Sequence, residues 1–295
     1  MRKKILAVVS AVVITTLTFT GCGSSGSGET SKSEGSQQGV TGSINVVSRE
    51  EGSGTRGAFV ELLGIMDEKE NDLTVQTAEI TNSTSVMLQT VSQNDKAIGY
   101  VSLGSLSEAV KSVQVDGADA TAENVKSGTY KVSRPFNICY KEDKLTDLDK
   151  DFIKFIMSEE GQKIVNEEGY IGIEPEGKYD VKDQKGKVTL AGSTSVAPLM
   201  NKLADAYKAI NSGVTIEIQE SGSSAGIQSA IEGATEIGMS SRELKDEEAK
   251  ELVAKQIALD GIAVIVNKNN DISNLTSEQI QKIYTGEITD WSDVK

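Results

Sequence analysis

Three times along this chain a short β-branched run breaks into Gly, Ser and Thr and resumes as a helix. The first unit spans residues 44–59, where Ile44-Asn-Val-Val47 gives way to Gly52-Ser-Gly-Thr55 and then to Ala58-Phe59-Val60. The second joins Val188-Thr-Leu-Ala191 through Gly192-Ser-Thr-Ser195 to Val196, Met200, Leu203 and Tyr207 at helical spacing. The third joins Val214-Thr-Ile-Glu-Ile218 through Gly222-Ser-Ser-Ala-Gly226 to residues 227–232. Short β-branched runs suit buried strands, so the pattern predicts an α/β fold. It also predicts a binding chemistry. The first turn of a helix presents unpaired N–H groups and the positive end of its dipole, which suits an anion. Glycine lets backbone approach the ligand. Ser53 and Thr55 add hydroxyls, and Arg49 adds a planar fork that matches an oxyanion. A fourth small-residue loop, Ile237-Gly-Met-Ser-Ser-Arg242, follows a short strand, so the whole reads as one ligand ringed by donors.

Three other readings fit single motifs. Ser53 could be only the N-cap of a helix. Gly52-x-Gly54-x-x-Gly57 fits the dinucleotide fingerprint, with Asp67 or Glu68 as a poor ribose partner. Gly222-x-Ser224-x-Gly226 fits the nucleophile elbow of serine hydrolases. The chain has no histidine, which removes the Ser-His-Asp triad, histidine metal ligands and the commonest general base. A Ser-Lys pair is open by residue count, but nothing places a lysine beside Ser224. No cofactor or metal is expected.

The start of the chain reads as an export address. Arg2-Lys3-Lys4 precedes an apolar stretch, and Thr20-Gly21-Cys22 resembles a bacterial lipobox, in which the cysteine is lipidated. Residues 1–22 are therefore expected to be a lipoprotein signal. Residues 23–42, rich in Gly and Ser, are expected to be a flexible tether holding the body off a membrane. Of two cysteines, lipidation of Cys22 leaves Cys139 alone, so no disulfide is expected. The formal net charge of −14 argues against nucleic acid and repels anions at long range. An anion site here must work through local donors.

Between the units, Thr81-Asn-Ser-Thr-Ser-Val86 is followed by a helix-like stretch to Val91, and residues 149–168 read as a helix with a break at Gly161. Residues 97–101 and 130–140 read as strands, with Pro135 placing part of the second at an edge. Residues 174–185 read as a polar linker or surface loop.

At these motifs the chain resembles the phosphate-binding lipoproteins of bacterial ABC phosphate-uptake systems. The resemblance covers nearly all of residues 43–295. It includes Arg49-x-x-Gly-Ser-Gly-Thr55, Ala97-Ile-Gly-Tyr-Val101, Gly161-Gln-Lys-Ile-Val165, Gly192-Ser-Thr-Ser-Val-Ala-Pro198, Gly222-Ser-Ser224 and Ile283-Tyr-Thr-Gly-Glu-Ile288. It implies a two-lobe, type II periplasmic-binding-protein α/β fold with two hinge crossovers, and a monomer outside the cytoplasm, lipid-anchored to the cell membrane. It implies capture of inorganic phosphate and delivery to a membrane permease. The family's binding positions fall on Arg49, Ser53, Gly54, Thr55, Thr194, Ser195, Ser223 and Ser241. The alternatives are another tetrahedral oxyanion, such as sulfate or molybdate, or a secreted serine hydrolase using Ser224. The chain departs from the family in two ways. Ser241 stands where well-known members carry an aspartate that accepts the phosphate proton, with Glu51 as the next candidate acceptor. The halves also come in swapped order, as in a circular permutation. That order predicts one lobe of residues 43–100 plus 260–295 and a second of residues 101–259. It also predicts Arg49 facing Thr194 and the chain's end lying beside Ser43.

Overall fold

The β-branched runs form strands, and their small-residue breaks become helix starts. The computed structural model describes residues 40–294. β1 (Asn45–Arg49) leads into α1 (Gly54–Leu62), β2 (Glu79–Thr81) into α2 (Thr84–Ser92), and β3 (Ala97–Ser102) follows. Short elements β4 (Val110–Ser112), β5 (Gln114–Val115) and α3 (Ala122–Lys126) precede the long β6 (Ser133–Tyr140). Then come α4 (Asp147–Met157), α5 (Glu159–Glu167) and β7 (Ile171–Gly172). β8 (Lys185–Gly192) leads into α6 (Ala197–Ile210), and β9 (Gly213–Glu220) into α7 (Ser223–Glu232). β10 (Ile237–Ser240), α8 (Asp246–Glu251), β11 (Val253–Asn267), β12 (Asn274–Leu275) and α9 (Ser277–Thr285) complete the order.

The main sheet runs β2-β1-β3-β11-β6-β10-β8-β9. Both flanks are parallel, β2-β1-β3 and β10-β8-β9, as crossover helices require. β11 joins them. Its first part, residues 253–261, pairs antiparallel with β6; its second, residues 262–266, pairs antiparallel with β3. Each part serves its own core. Phe59, Ile98, Tyr100, Val264, Tyr284 and Trp291 pack in one, and Phe136, Phe152, Leu203, Tyr207 and Met239 in the other. The result is a two-lobe α/β fold whose lobes are joined where β6 and β11 pass between cores.

Several expectations shift. The first crossover, expected near Tyr100, falls between Val132 and Ser133. β4 adds to β11 with Ile265 opposite Ser112, and Val113, Val115, Val125, Tyr130 and Val132 are buried in the core of Phe59. Residues 101–132 thus pack with the first lobe, not with a lobe of residues 101–259. The long helix expected over residues 149–168 breaks at Ser158, not Gly161. Ser158 ends α4 and caps α5, accepting from the Gly161 N–H at 3.2 Å. Pro135 lies outside the stretch where β10 pairs with β6, so its missing N–H costs that ladder nothing. The loop of residues 174–184 is tied down by Tyr179, whose hydroxyl donates to the buried Asp151 at 2.6 Å. Residues 40–42, expected as tether, are bonded to the body: Val40 N–H donates to Asp271, and Gly42 accepts from Trp291 N–H at 3.1 Å. Ser43 bridges Asp290, which brings the two ends of the described chain together. Cys22 and the rest of residues 1–39 lie outside the described residues.

One buried ion pair marks the crossover. Arg134 on β6 and Asp260 on β11 pair at 3.1 Å, and Ser102 at the end of β3 donates to Asp260 at 2.8 Å. Burial pushes the Asp260 carboxyl up to about 6, against the opposing pull of Arg134 and Ser102.

Candidate anion-binding site

Four strand–turn–helix units aim their helix starts at one point between the lobes. From the first lobe come α1 and α2. Ser53 caps α1 by accepting from the Arg56 N–H at 3.4 Å, so its capping reading holds. Ser83 caps α2 in the same way, at 3.3 Å from the Val86 N–H. From the second lobe come α6 and α7. α7 starts at Gly222, whose φ of 87° suits glycine, and it has no side-chain cap.

Hydroxyls from both lobes meet there. Thr55 on α1 lies 2.9 Å from Ser195 Oγ, and Thr84 on α2 lies 3.2 Å from both Thr194 and Ser195. Ser193 donates to Ser241 at 2.9 Å, and Ser241 lies 3.2 Å from Ser223 Oγ. All these residues are buried. Approach is tightest at Gly54, where a Cβ would stand 2.4 Å from Ser223 Oγ and 2.6 Å from Ser241 Oγ. Only glycine fits there while the lobes stand this close.

Arg49 supplies the charge. It is buried at the end of β1, and its Nη2 donates to Thr194 Oγ1 across the cleft at 3.0 Å. Nε and Nη2 also grip both oxygens of Glu50, each at 2.7 Å. The strand end is propped from below. The Tyr100 hydroxyl accepts from the Arg49 N–H at 3.1 Å and lies 2.9 Å from Ser48 Oγ, while its ring stacks on Phe59 at 3.9 Å. Burial holds the Tyr100 phenol above its ordinary pKa, so it stays protonated.

Two further arginines ring the site, and each is also paired. Arg56 bonds Asp72 at 2.7 Å and the Arg49 carbonyl at 2.8 Å. Arg242 bonds both oxygens of Glu248 at 2.7 and 2.8 Å. Burial raises the Asp72 and Glu248 carboxyls, but bonds from Thr74 and Arg56, and from Arg242 and Lys245, outweigh it and leave both low. The site is thus electrically balanced by its own carboxylates. An anion is held by converging N–H and O–H groups as much as by net charge.

Of the residues expected in the site, the structure brings Arg49, Gly54, Thr55, Thr194, Ser195, Ser223 and Ser241 together. Ser53 faces its own helix. Sequence reasoning missed Thr84, Ser193 and the role of Glu50. Thr84 follows the same strand-then-small-residue pattern, but its strand is three residues long and its turn lacks glycine. Glu51 is exposed, whereas Glu50 holds the arginine. Ser224 lies at the rim, where its Oγ accepts from Arg242 Nη2 at 3.1 Å; a guanidinium cannot take its proton. Asp67 bonds Lys69 and Asn71 within its own loop, which leaves the dinucleotide reading without its ribose partner there. Cys139 is buried, and burial pushes its thiol up to about 12. Among the described residues no His, Cys, Asp or Glu cluster could hold a metal, and no helix is long and apolar enough to cross a membrane.

Comparison with known proteins points the same way. The chain matches the model of the PBP superfamily domain over residues 27–160 and 179–295. It is 52% identical over 258 residues to "Phosphate-binding protein PstS 2" of Streptococcus agalactiae, covering 86% of this chain and 88% of that protein. It is 42% identical over 299 residues to the protein of the same name from Streptococcus pneumoniae, covering 100% of both. The crystal structure of a phosphate ABC transporter's phosphate-binding protein from Streptococcus pneumoniae superposes with a TM-score of 0.70 at 46% identity. That match covers 86% of this chain and all of the other. With a helix-ringed site between two lobes and relatives of this kind over most of its length, the chain belongs to the PstS family of phosphate-binding proteins, within the PBP superfamily.

Proposed function

We propose that this protein captures inorganic phosphate between its lobes and delivers it to an ABC permease. The observation that carries the reading is the meeting of Thr55, Thr84, Thr194 and Ser195 beside Arg49, with Ser223 and Ser241 closing on Gly54, at the starts of four helices. Hydroxyls and first-turn N–H groups replace the ligand's water, and Arg49 supplies a bidentate fork. No bond is made or broken. The protein acts as a binding module, and lobe closure sets both affinity and the shape a permease reads. The phosphate contacts we assign are Arg49, Gly54, Thr55, Thr194, Ser195, Ser223 and Ser241, with Ser53 serving as the cap that holds the start of α1 in place. The lobes we assign are residues 43–132 plus 261–294, and residues 133–260. The swapped order of halves belongs to the same reading and is supported by the Ser43–Asp290 bridge. So does a monomer held outside the cytoplasm by lipid on Cys22.

The test is titration calorimetry with phosphate and with sulfate, alongside phosphate-ester turnover. Phosphate binding without turnover is expected. Tighter binding of sulfate would move the reading to another tetrahedral oxyanion, and turnover would move it to a hydrolase.

A further inference from the structure

We infer that the first lobe caps α7 across the cleft, and that Arg242 is the positioning residue that holds this latch shut over the bound anion. This rests on the phosphate reading of the site and adds a control on release to it. α7 starts without a side-chain cap of its own, so its first-turn N–H groups need partners from outside the helix. One partner comes from the opposite lobe: the Ser224 N–H donates to the Gly52 carbonyl at 3.1 Å. Gly52 belongs to the turn before α1 and Ser224 to the first turn of α7, so parting the lobes breaks this bond. The fit is close on both sides. A Cβ on Gly52 would stand 3.3 Å from Ser224 Cβ, and one on Gly222 would stand 3.8 Å from the Gly52 carbonyl oxygen.

Arg242 fixes the second-lobe half of this contact. Its guanidinium donates to both oxygens of Glu248 at 2.7 and 2.8 Å, to the Glu243 carbonyl at 2.8 Å and, through Nη2, to Ser224 Oγ at 3.1 Å. None of these bonds reaches the buried hydroxyls around Arg49. Glu248 is itself anchored, accepting from the Lys245 N–H at 2.8 Å. The stem of Arg242 also meets the first lobe, because its Cδ lies 3.8 Å from where a Cβ on Gly57 of α1 would stand. The guanidinium is therefore neutralised and held at the rim, where it sets the position of Ser224 rather than binding the ligand. A contact made only between closed lobes acts on the life of the closed state, so it governs release more than capture.

The obvious alternative is that Arg242 draws anions to the cleft by its charge, and the two roles divide the kinetics differently. Phosphate affinity is measured by calorimetry, and release by chasing radiolabelled phosphate with unlabelled phosphate. Wild type, Arg242→Ala, Ser224→Ala and the double variant are compared, with folding checked by circular dichroism. If Arg242 holds the latch, Arg242→Ala speeds release about two- to tenfold, the worth of a hydrogen bond, and weakens affinity by the same factor. Ser224→Ala acts in the same direction, and the double variant adds little to Arg242→Ala alone. The association rate, given by the ratio of release rate to dissociation constant, stays put. If Arg242 attracts the anion, the association rate falls instead, by an amount that salt erases, which overturns the inference. Losses that add in the double variant overturn it as well, because Arg242 then does not act through Ser224. Unchanged release in either single variant does the same, so Ser224→Ala decides the matter should Arg242→Ala not fold. Wild type that binds no phosphate would instead overturn the site reading beneath it.

Discussion

The two lobes build their halves of the cleft from the same unit and equip them differently. The first lobe brings α1 and α2, both capped by serine side chains, and the ion pairs of Arg49 with Glu50 and Arg56 with Asp72. The second brings α6 and α7 without that kind of cap, and faces the centre with Ser193, Thr194, Ser195, Ser223 and Ser241. Its one arginine there, Arg242, sits at the rim against Glu248. The arginine at the centre thus sits on one side, and most of the hydroxyls on the other. An anion bound to the first lobe alone would lack about half its donors, so its full affinity appears only on closure. This separation lets closure report occupancy.

The hinge is where that division breaks most severely. Asp260 and Arg134 are both buried, and Arg134 Nη1 already lacks a partner. Asp260→Ala removes the acceptor that serves both Arg134 and Ser102 in either protonation state of the carboxyl, and should cost about 3–5 kcal/mol of stability at pH 7. The pH dependence has a definite sign. Asp260 is raised from 3.8 to about 6, so the stability it contributes is full below about pH 4 and is lost as pH rises through about 6. In urea unfolding, the gap between wild type and Asp260→Ala should therefore be wider at pH 5 than at pH 7. A gap that widens with pH would mean that the ion pair, not burial, governs this carboxyl.

Next in size is the charged side of the cleft. Arg49→Ala removes a buried, charge-assisted donor and leaves Glu50 unpaired beside the anion. Phosphate affinity should fall by about 2–5 kcal/mol, more than for any single hydroxyl. Calorimetry decides it, and a loss below about tenfold, or about 1.4 kcal/mol, would erase the proposed asymmetry between lobes.

Gly54→Ala probes the contact between the sides. Its new methyl would meet Ser223 and Ser241 hydroxyls at 2.4 and 2.6 Å, so the lobes must stand apart. Overpacking of this kind costs about 1–3 kcal/mol, here set against closure and so against phosphate affinity. Gly57→Ala is the control on the same helix, because its methyl meets Arg242 Cδ at an ordinary 3.8 Å. Equal losses in both variants would mean the effect comes from the helix, not from the approach of the lobes.

What the sequence made legible follows the range of the interaction. Strand, turn and helix start are local, so the units at Arg49, Gly192 and Gly222 and most of the site residues could be read directly. Pairing across the chain could not. Nothing near Ser112 announces that it lies opposite Ile265, yet that pairing carries residues 101–132 into the first lobe. Side-chain direction was equally hidden. Glu50 and Glu51 are neighbours of one chemistry, and only the fold shows which one turns back onto Arg49. The helix break was misplaced because a glycine is a visible signal. Gly161 is in fact needed where the backbone runs close to the Phe155 carbonyl, and Ser158 makes the break.

Thr84 should give the smallest effect, and it tests whether the first lobe's hydroxyls matter beside its charge. Its Oγ1 lies 3.2 Å from both Thr194 and Ser195, the two residues that also meet Arg49 and Thr55. Thr84→Val keeps the shape and removes the hydroxyl. Neither partner is orphaned, since Thr194 keeps Arg49 and Ser195 keeps Thr55. The loss should then be the net worth of a hydrogen bond, about 0.5–1.5 kcal/mol of phosphate affinity. Pairing it with Thr194→Val in a double-mutant cycle isolates the contact, and a coupling within that range is expected. A loss in the single variant as large as that of Arg49→Ala would show that hydroxyls, not the arginine, carry the first lobe's hold on the anion. The division of labour between lobes would then have to be redrawn.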